Sequence, residues 1–295
     1  MRKKEEPKSF FVPKEFTLIP TGVVALDQLL GIPRGHITLI TGYPGSGKST
    51  LGYSILGQAL KSGLKAIYVD LESSFPAQAD WAKLQGLDIE ELEVWNNILL
   101  EDWVEATTDY LNAGERSCFL VDSVPGLIAR EDSSYGYRAR VLSDALPRFL
   151  KLMLNNDSAI IFLSQIRDNF DPTSHYPLIS GGWALQHFSS LHINLVPMRY
   201  IVSSEQRVGQ EIRFEIRKIK FGSHKALPRG SFFINFKEGL NPADELRDML
   251  QKLGLAKTQN GVVKFQEQEF GPRKFLDYIR ENKEAIIQLI KESVS

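Results

Sequence analysis

The sequence predicts an α/β protein in which a doubly wound, mostly parallel sheet carries helices on both faces. Three observations predict it. The runs 36-HITLIT-41, 66-AIYVDL-71, 117-SCFLVDSV-124 and 159-AIIFLSQI-166 are almost continuously apolar, the composition of strands buried on both faces. Helix-like segments alternate with them, such as 49-STLGYSILGQALKSG-63 and 100-LEDWVEATTDYLNAG-114, each closed by a glycine. The first strand also runs directly into the glycine-rich loop 42-GYPGSGKST-50 and from there into a helix.

After about residue 190 the pattern changes. The segments 192-HINLVPMRYIVSS-204 and 210-QEIRFEIRKIKF-221 read as longer strands joined around Gly209, followed by 231-SFFINF-236. These are expected as antiparallel additions to one edge of the sheet. Near 241 the chemistry shifts again. Asn241 is placed to cap a helix with Pro242 at its first position. Leu246, Met249, Leu250 and Leu253 then fall on one face before Gly254. Asn260-Gly261 predicts a hairpin turn, and helices near 272–281 and 283–294 finish the chain. The expected organisation is an N-terminal segment (1–18), a core (19–240) and a small C-terminal domain (241–295).

Composition narrows the function classes. With 295 residues, 43% hydrophobic and 24% charged, the chain has the balance of an ordinary globular protein. Its net charge of −1 provides no global field for nucleic acid, so any such site is a local patch. The N-terminus, 1-MRKKEEPKSFF-11, lacks the apolar core of a signal peptide. No run approaches the roughly 20 apolar residues of a membrane helix. A cytoplasmic protein without membrane contact is expected. Cys118 stands alone inside a predicted strand and is expected to be a small buried hydrophobe.

The loop points to phosphate. Gly42, Gly47, Lys48 and Ser49 match G-x-x-x-x-G-K-[ST], with Tyr43, Pro44, Gly45 and Ser46 between them and Thr50 after. Glycines let successive backbone N–H groups face phosphate oxygens. Lys48 is expected at the β- and γ-phosphates and Ser49 on Mg²⁺. Asp122 closes the run 119-FLVD-122 and is expected as the second metal ligand, at the carboxyl end of its strand. Glu72 and Asp70 both end 66-AIYVDLE-72, and spacing alone does not choose which faces the nucleotide.

The order 19-IPTGVVALDQLLG-31, phosphate loop, 67-IYVDLE-72, 120-LVDSV-124, 163-LSQIR-167 and 180-SGGWAL-185 resembles the bacterial RecA recombinase family and its phage relatives. The likeness runs from about 17 to 240. It implies a RecA-like P-loop ATPase core with a mostly parallel central sheet, antiparallel edge strands and a small α+β C-terminal domain. It further implies ATP and Mg²⁺, a filament or ring of identical subunits, and binding of single-stranded DNA that is paired with homologous duplex DNA and exchanged. In this resemblance Glu72 is the general base and Asp122 the metal carboxylate. Trp81 stands at the adenine-stacking position, and its indole also suits a plain anchor in the core. Gln165 is the γ-phosphate sensor, and Lys218 and Lys220 reach the neighbouring subunit's ATP.

Two segments correspond to the family's DNA loops. The first, 130-REDSSYGYRARV-141, offers Tyr135, Gly136, Arg138 and Arg140. The second, 167-RDNFDPTSHYPLISGGW-183, offers Arg167, Phe170, Gly181 and Gly182. Rings and guanidinium planes suit bases, and glycine backbone suits phosphate. Departures are also visible. The first loop is short, Pro147 falls in the helix after it and is expected to kink it, and Asp168 and Asp171 oppose phosphate. In place of the family's long N-terminal helix stands 9-SFFVPKEF-16, whose phenylalanines suit either a plug for the next subunit or their own core. Two functional readings therefore stand: a strand-exchange recombinase, or a DNA-dependent ATPase of accessory type without strand exchange.

Overall fold

The computed structural model describes residues 17–130, 136–167, 178–179, 182–221 and 228–294. The elements begin with β1 (Leu18–Ile19), α1 (Val24–Asp27), β2 (Ile32–Pro33), β3 (Ile37–Gly42) and α2 (Lys48–Lys61). Next come β4 (Lys65–Asp70), α3 (Phe75–Leu84), β5 (Leu92–Asn96), α4 (Leu100–Asn112) and β6 (Ser117–Asp122). Then follow α5 (Tyr137–Asn156), β7 (Ala159–Arg167), β8 (Leu178–Ile179), α6 (Gly182–Phe188), β9 (Leu191–Ser203) and β10 (Gln206–Ile219). The chain continues with β11 (Arg229–Asn235), β12 (Gly239–Leu240), α7 (Pro242–Lys252), β13 (Ala256–Gln259), β14 (Val262–Phe265) and β15 (Gln268–Phe270). It closes with α8 (Pro272–Glu281) and α9 (Lys283–Val294).

The main sheet has the order β12-β11-β10-β9-β3-β7-β6-β4-β5. The four strands read from sequence form its middle, and every residue of β3 and β6 is buried. That is why they read as continuous apolar runs: both faces meet helices. One core lies on the α2 side, with Ile40, Leu51, Ile55, Tyr68 and Leu120. The other lies on the α4–α5 side, with Leu39, Val69, Trp103, Phe149 and Phe162. The architecture is the expected one, a large and mostly parallel sheet with antiparallel strands at one edge.

Several details differ from expectation. β9 is parallel to β3, and only β10, β11 and β12 continue the edge antiparallel. The turn between β9 and β10 falls at Ser204 and Glu205, both with positive φ, and not at Gly209. Gly209 lies inside β10, where a Cβ would sit 2.6 Å from the Ile234 carbonyl oxygen, so close approach of β11 explains the glycine. β5 escaped the sequence reading because 92-LEVWN-96 is an edge strand without a buried residue. α5 runs unbroken through Pro147. Pro147 and Ser143 both face solvent, where water can serve the carbonyl that proline leaves without a donor.

The C-terminal elements build a third core from Leu246, Leu250, Phe265, Phe275, Ile279 and Ile290, each burial worth about 1.5–3 kcal/mol. Asn241 caps α7 by accepting from the Ala243 and Asp244 N–H groups. Of the four apolar residues read onto one face of this helix, Leu253 is instead exposed. Val24 belongs to the same core. The buried carboxylate of Glu245 accepts from the Val24 N–H at 3.0 Å and the Ala25 N–H at 2.5 Å, fastening α7 to α1. Among the described residues no helix is long and apolar enough to cross a membrane.

Candidate nucleotide site

Parallel register assembles the site. Gly42 pairs with Gln165, and Asp70 pairs with Asp122, so the carboxyl ends of β3, β7, β6 and β4 deliver their terminal residues to one crevice. Between β3 and α2 the loop reverses sharply. A Cβ on Gly42 would lie 2.3 Å from Ser46 Oγ and 2.6 Å from the Leu195 carbonyl oxygen. Gly47 has φ +81°, which only glycine adopts without strain.

Lys48 Nζ donates to the carbonyl oxygens of Gly42 at 3.0 Å and Tyr43 at 2.9 Å, curling over the loop. Burial lowers its pKa, while the charges of Asp122 and Glu72 oppose that shift. Ser49 Oγ donates to Asp122 Oδ2 at 2.7 Å. Burial pushes the Asp122 carboxyl up to about 6, with Glu72 adding to the rise and the Ser49 hydrogen bond opposing it. The Ser46 hydroxyl is fully buried and has no hydrogen-bond partner. These residues fit a nucleotide with its magnesium ion: a hydroxyl and a carboxylate converge as hard oxygen donors, and an orphaned hydroxyl lies in a glycine-built loop.

The structure separates the two carboxylates of the 66–72 run. Asp70 accepts from the Ser74 N–H at 3.1 Å and the Phe75 N–H at 2.9 Å, capping the entry to α3. Glu72 is exposed, and its Oε1 accepts from Ser123 Oγ at 2.5 Å. Ser123 directly follows Asp122 and was not singled out in the sequence. Its position directly after Asp122 was the available signal. Trp81 donates from Nε1 to Thr50 Oγ1 at 3.0 Å and lies against the α2-side core, tying α3 to the end of the loop.

Lys218 and Lys220 are occupied within the chain. Lys218 Nζ donates to the Gln186 carbonyl at 2.5 Å and the His187 carbonyl at 3.0 Å, and Lys220 Nζ to His187 at 2.8 Å. Both ammonium groups thus sit at the carboxyl end of α6, where the helix dipole favours cations. Burial, with Lys220 adding repulsion, lowers Lys218 to about 8.

Of the residues expected to contact DNA, Gly136 is the left-handed N-cap of α5, with φ +87°. Arg138 folds back, donating to the Pro125 and Leu127 carbonyls. Arg140 and Arg167 are exposed, and Gly182 opens α6. Tyr135, Phe170 and Gly181 lie outside the described residues, as do the phenylalanines of 9–16.

Comparison with known proteins gives the family. The family model for the RecA N-terminal domain matches residues 12–241. The chain is 29% identical over 258 residues to the mitochondrial DNA repair protein recA homolog of Dictyostelium discoideum, covering 84% of this chain and 56% of that one. It thus spans about half the length of that relative. Protein RecA of Aquifex aeolicus is 27% identical over 284 residues, covering 92% of this chain and 81% of that protein. Protein RecA of Thermus aquaticus is 28% identical over 303 residues, covering 98% and 86%. With a RecA N-terminal domain over most of its length and the nucleotide loop seated in the matching fold, the chain belongs to the RecA family.

Proposed function

We propose that the protein is an ATP-dependent recombinase that assembles on single-stranded DNA and promotes homologous pairing and strand exchange. The observation that carries the reading is the convergence of Lys48, Ser49, Asp122 and Glu72 in one crevice with Gln165 paired beside Gly42. Lys48 neutralises charge on the β- and γ-phosphates, and loop N–H groups hold them in place. Ser49 and Asp122 would hold a magnesium ion, which would supply Lewis-acid stabilisation of the transferring phosphoryl group. Glu72 takes the proton of the attacking water, while Ser123 orients its carboxylate through Oε1. Gln165, at the head of the second DNA loop, is the group best placed to report the γ-phosphate to that loop.

A second reading, an accessory DNA-dependent ATPase without strand exchange, is favoured by the intrachain seating of Lys218 and Lys220 on α6 and by the folded-back Arg138. ATP hydrolysis measured with and without single-stranded DNA, with Lys48→Ala as control, tests the shared part. Stimulation that disappears in the variant supports both readings, and indifference to DNA sinks both. A strand-exchange assay then separates them.

A further inference from the structure

Behind the metal carboxylate lies a row of hydroxyls that no step above uses. Asp122 Oδ2 accepts from Tyr68 Oη at 3.3 Å as well as from Ser49. Tyr68 Oη stands 3.3 Å from Tyr53 Oη, and Tyr53 Oη lies 2.7 Å from Gln78 Oε1 on α3, to which it is placed to donate. Both tyrosines are fully buried, in edge-to-face contact with each other and with Phe75 beside them. Burial raises both phenols far above their ordinary range. They are permanent hydroxyls.

Proton counting leaves one direction in which every contact of the row is bonded. Two hydroxyl protons serve three contacts: Gln78 to Tyr53, Tyr53 to Tyr68, and Tyr68 to Asp122. If Gln78 offers its oxygen, Tyr53 spends its proton there and the contact between the tyrosines has none. With the Gln78 amide turned over, its nitrogen donates to Tyr53, Tyr53 donates to Tyr68, and Tyr68 donates to Asp122. Every contact then holds one proton, and the chain points at the carboxylate. An amide's oxygen and nitrogen have nearly the same outline, so this orientation needs no movement of other atoms. Aligned donors of this kind polarise one another.

We propose that Tyr68, backed by Tyr53 and Gln78, is a positioning residue for the magnesium carboxylate: the relay holds Oδ2 of Asp122 so that the carboxylate presents a fixed edge to the metal. The relay also links that carboxylate to α3, the helix carrying Trp81. The proposal rests on the nucleotide-site reading above and specifies how that site is held. Partners of this kind behind a metal ligand typically contribute about 10–100-fold in metal affinity.

The test is the magnesium dependence of binding a non-hydrolysable ATP analogue, measured by calorimetry on the full chain at graded Mg²⁺. For Tyr68→Phe the half-saturating Mg²⁺ should rise about tenfold, with affinity for the analogue in chelator unchanged. Tyr53→Phe and Gln78→Glu should shift it the same way by less. In Gln78→Glu the new carboxylate only accepts, which forces Tyr53 to donate away from Tyr68. Tyr68→Phe combined with Tyr53→Phe should add little to Tyr68→Phe alone. A Tyr68→Phe protein that keeps wild-type magnesium dependence overturns the relay, whatever its thermal stability. A wild-type protein whose analogue binding ignores Mg²⁺ overturns the nucleotide-site reading itself. If Tyr68→Phe does not fold, the Gln78→Glu shift, or its absence, decides the question.

Discussion

His192 Nε2 stands 2.8 Å from Thr41 Oγ1, one residue before the phosphate loop begins, and both side chains are buried. Thr41 passes its own proton to Asn194 Oδ1 at 3.1 Å, so the imidazole is the donor from Nε2. Two polar groups of β9 thus pin Thr41 at the end of β3 from which Gly42 and the Lys48 seat depart. Burial, reinforced by the charges of Arg217 and Lys218, lowers the His192 pKa to about 4.

That shift sets a stability profile. An unfolded histidine binds its proton below about 6.5, the folded one only below about 4, so the unfolded chain gains protons first on acidification. The stabilisation from His192 is whole above about pH 6.5 and is lost as pH falls towards 4, about 3 kcal/mol in total. Urea melts at stepped pH should show this limb, and His192→Gln, which keeps a donor and removes the titration, should flatten it. An unchanged limb in the variant assigns the loss to other groups.

Glu245→Ala leaves the buried Val24 N–H and the partly buried Ala25 N–H without an acceptor where α7 meets α1. The expected loss is about 1–3 kcal/mol for each orphaned donor. It should appear in thermal unfolding as a lower midpoint, with nucleotide binding at low temperature intact. A midpoint within a degree of wild type would mean that the junction repacks or admits water.

Glu72→Gln keeps the shape of the side chain and removes its basicity. Turnover should fall about 10²–10⁴-fold while ATP affinity stays within a few-fold. Single-turnover hydrolysis beside equilibrium binding separates the two. Equal loss in both would make Glu72 a binding residue, and retained turnover would return the base role to the search.

Lys218→Ala with Lys220→Ala removes both cations from the end of α6. If these lysines serve a neighbour's nucleotide, DNA-stimulated hydrolysis collapses while ATP binding to the isolated subunit survives. If they only seat α6, subunit stability falls and stimulation persists at low temperature.

Much of the site was legible because its parts are local. The phosphate loop is contiguous, Asp122 ends one strand and Gln165 lies two residues before the end of another, and the apolar runs of both strands announce them. The four central strands were legible for the same reason. β5 was not, since an edge strand with no buried residue carries no such signal. Gly209 misled because glycine marks both turns and crowded strands, and only the β11 neighbour shows which applies. Asp70 and Glu72 were inseparable by spacing until α3 claimed the first as its cap. Tyr53, Tyr68 and His192 were invisible as polar elements because each stands in a run that reads as core, and their partners lie far along the chain.

The strand order has a consequence for how the protein is made. β3, which ends at the nucleotide loop, is flanked by β7 and β9: Ile37 pairs with Ile160 and Thr38 with Leu191. During synthesis the loop is written early, yet both walls of its cradle are written late, and non-local pairing of this sort is slow to close. A nascent chain halted before β9 has left the ribosome should fail to retain an ATP analogue, and one halted after β10 should hold it. The first quarter of the polypeptide waits for the third before it can work.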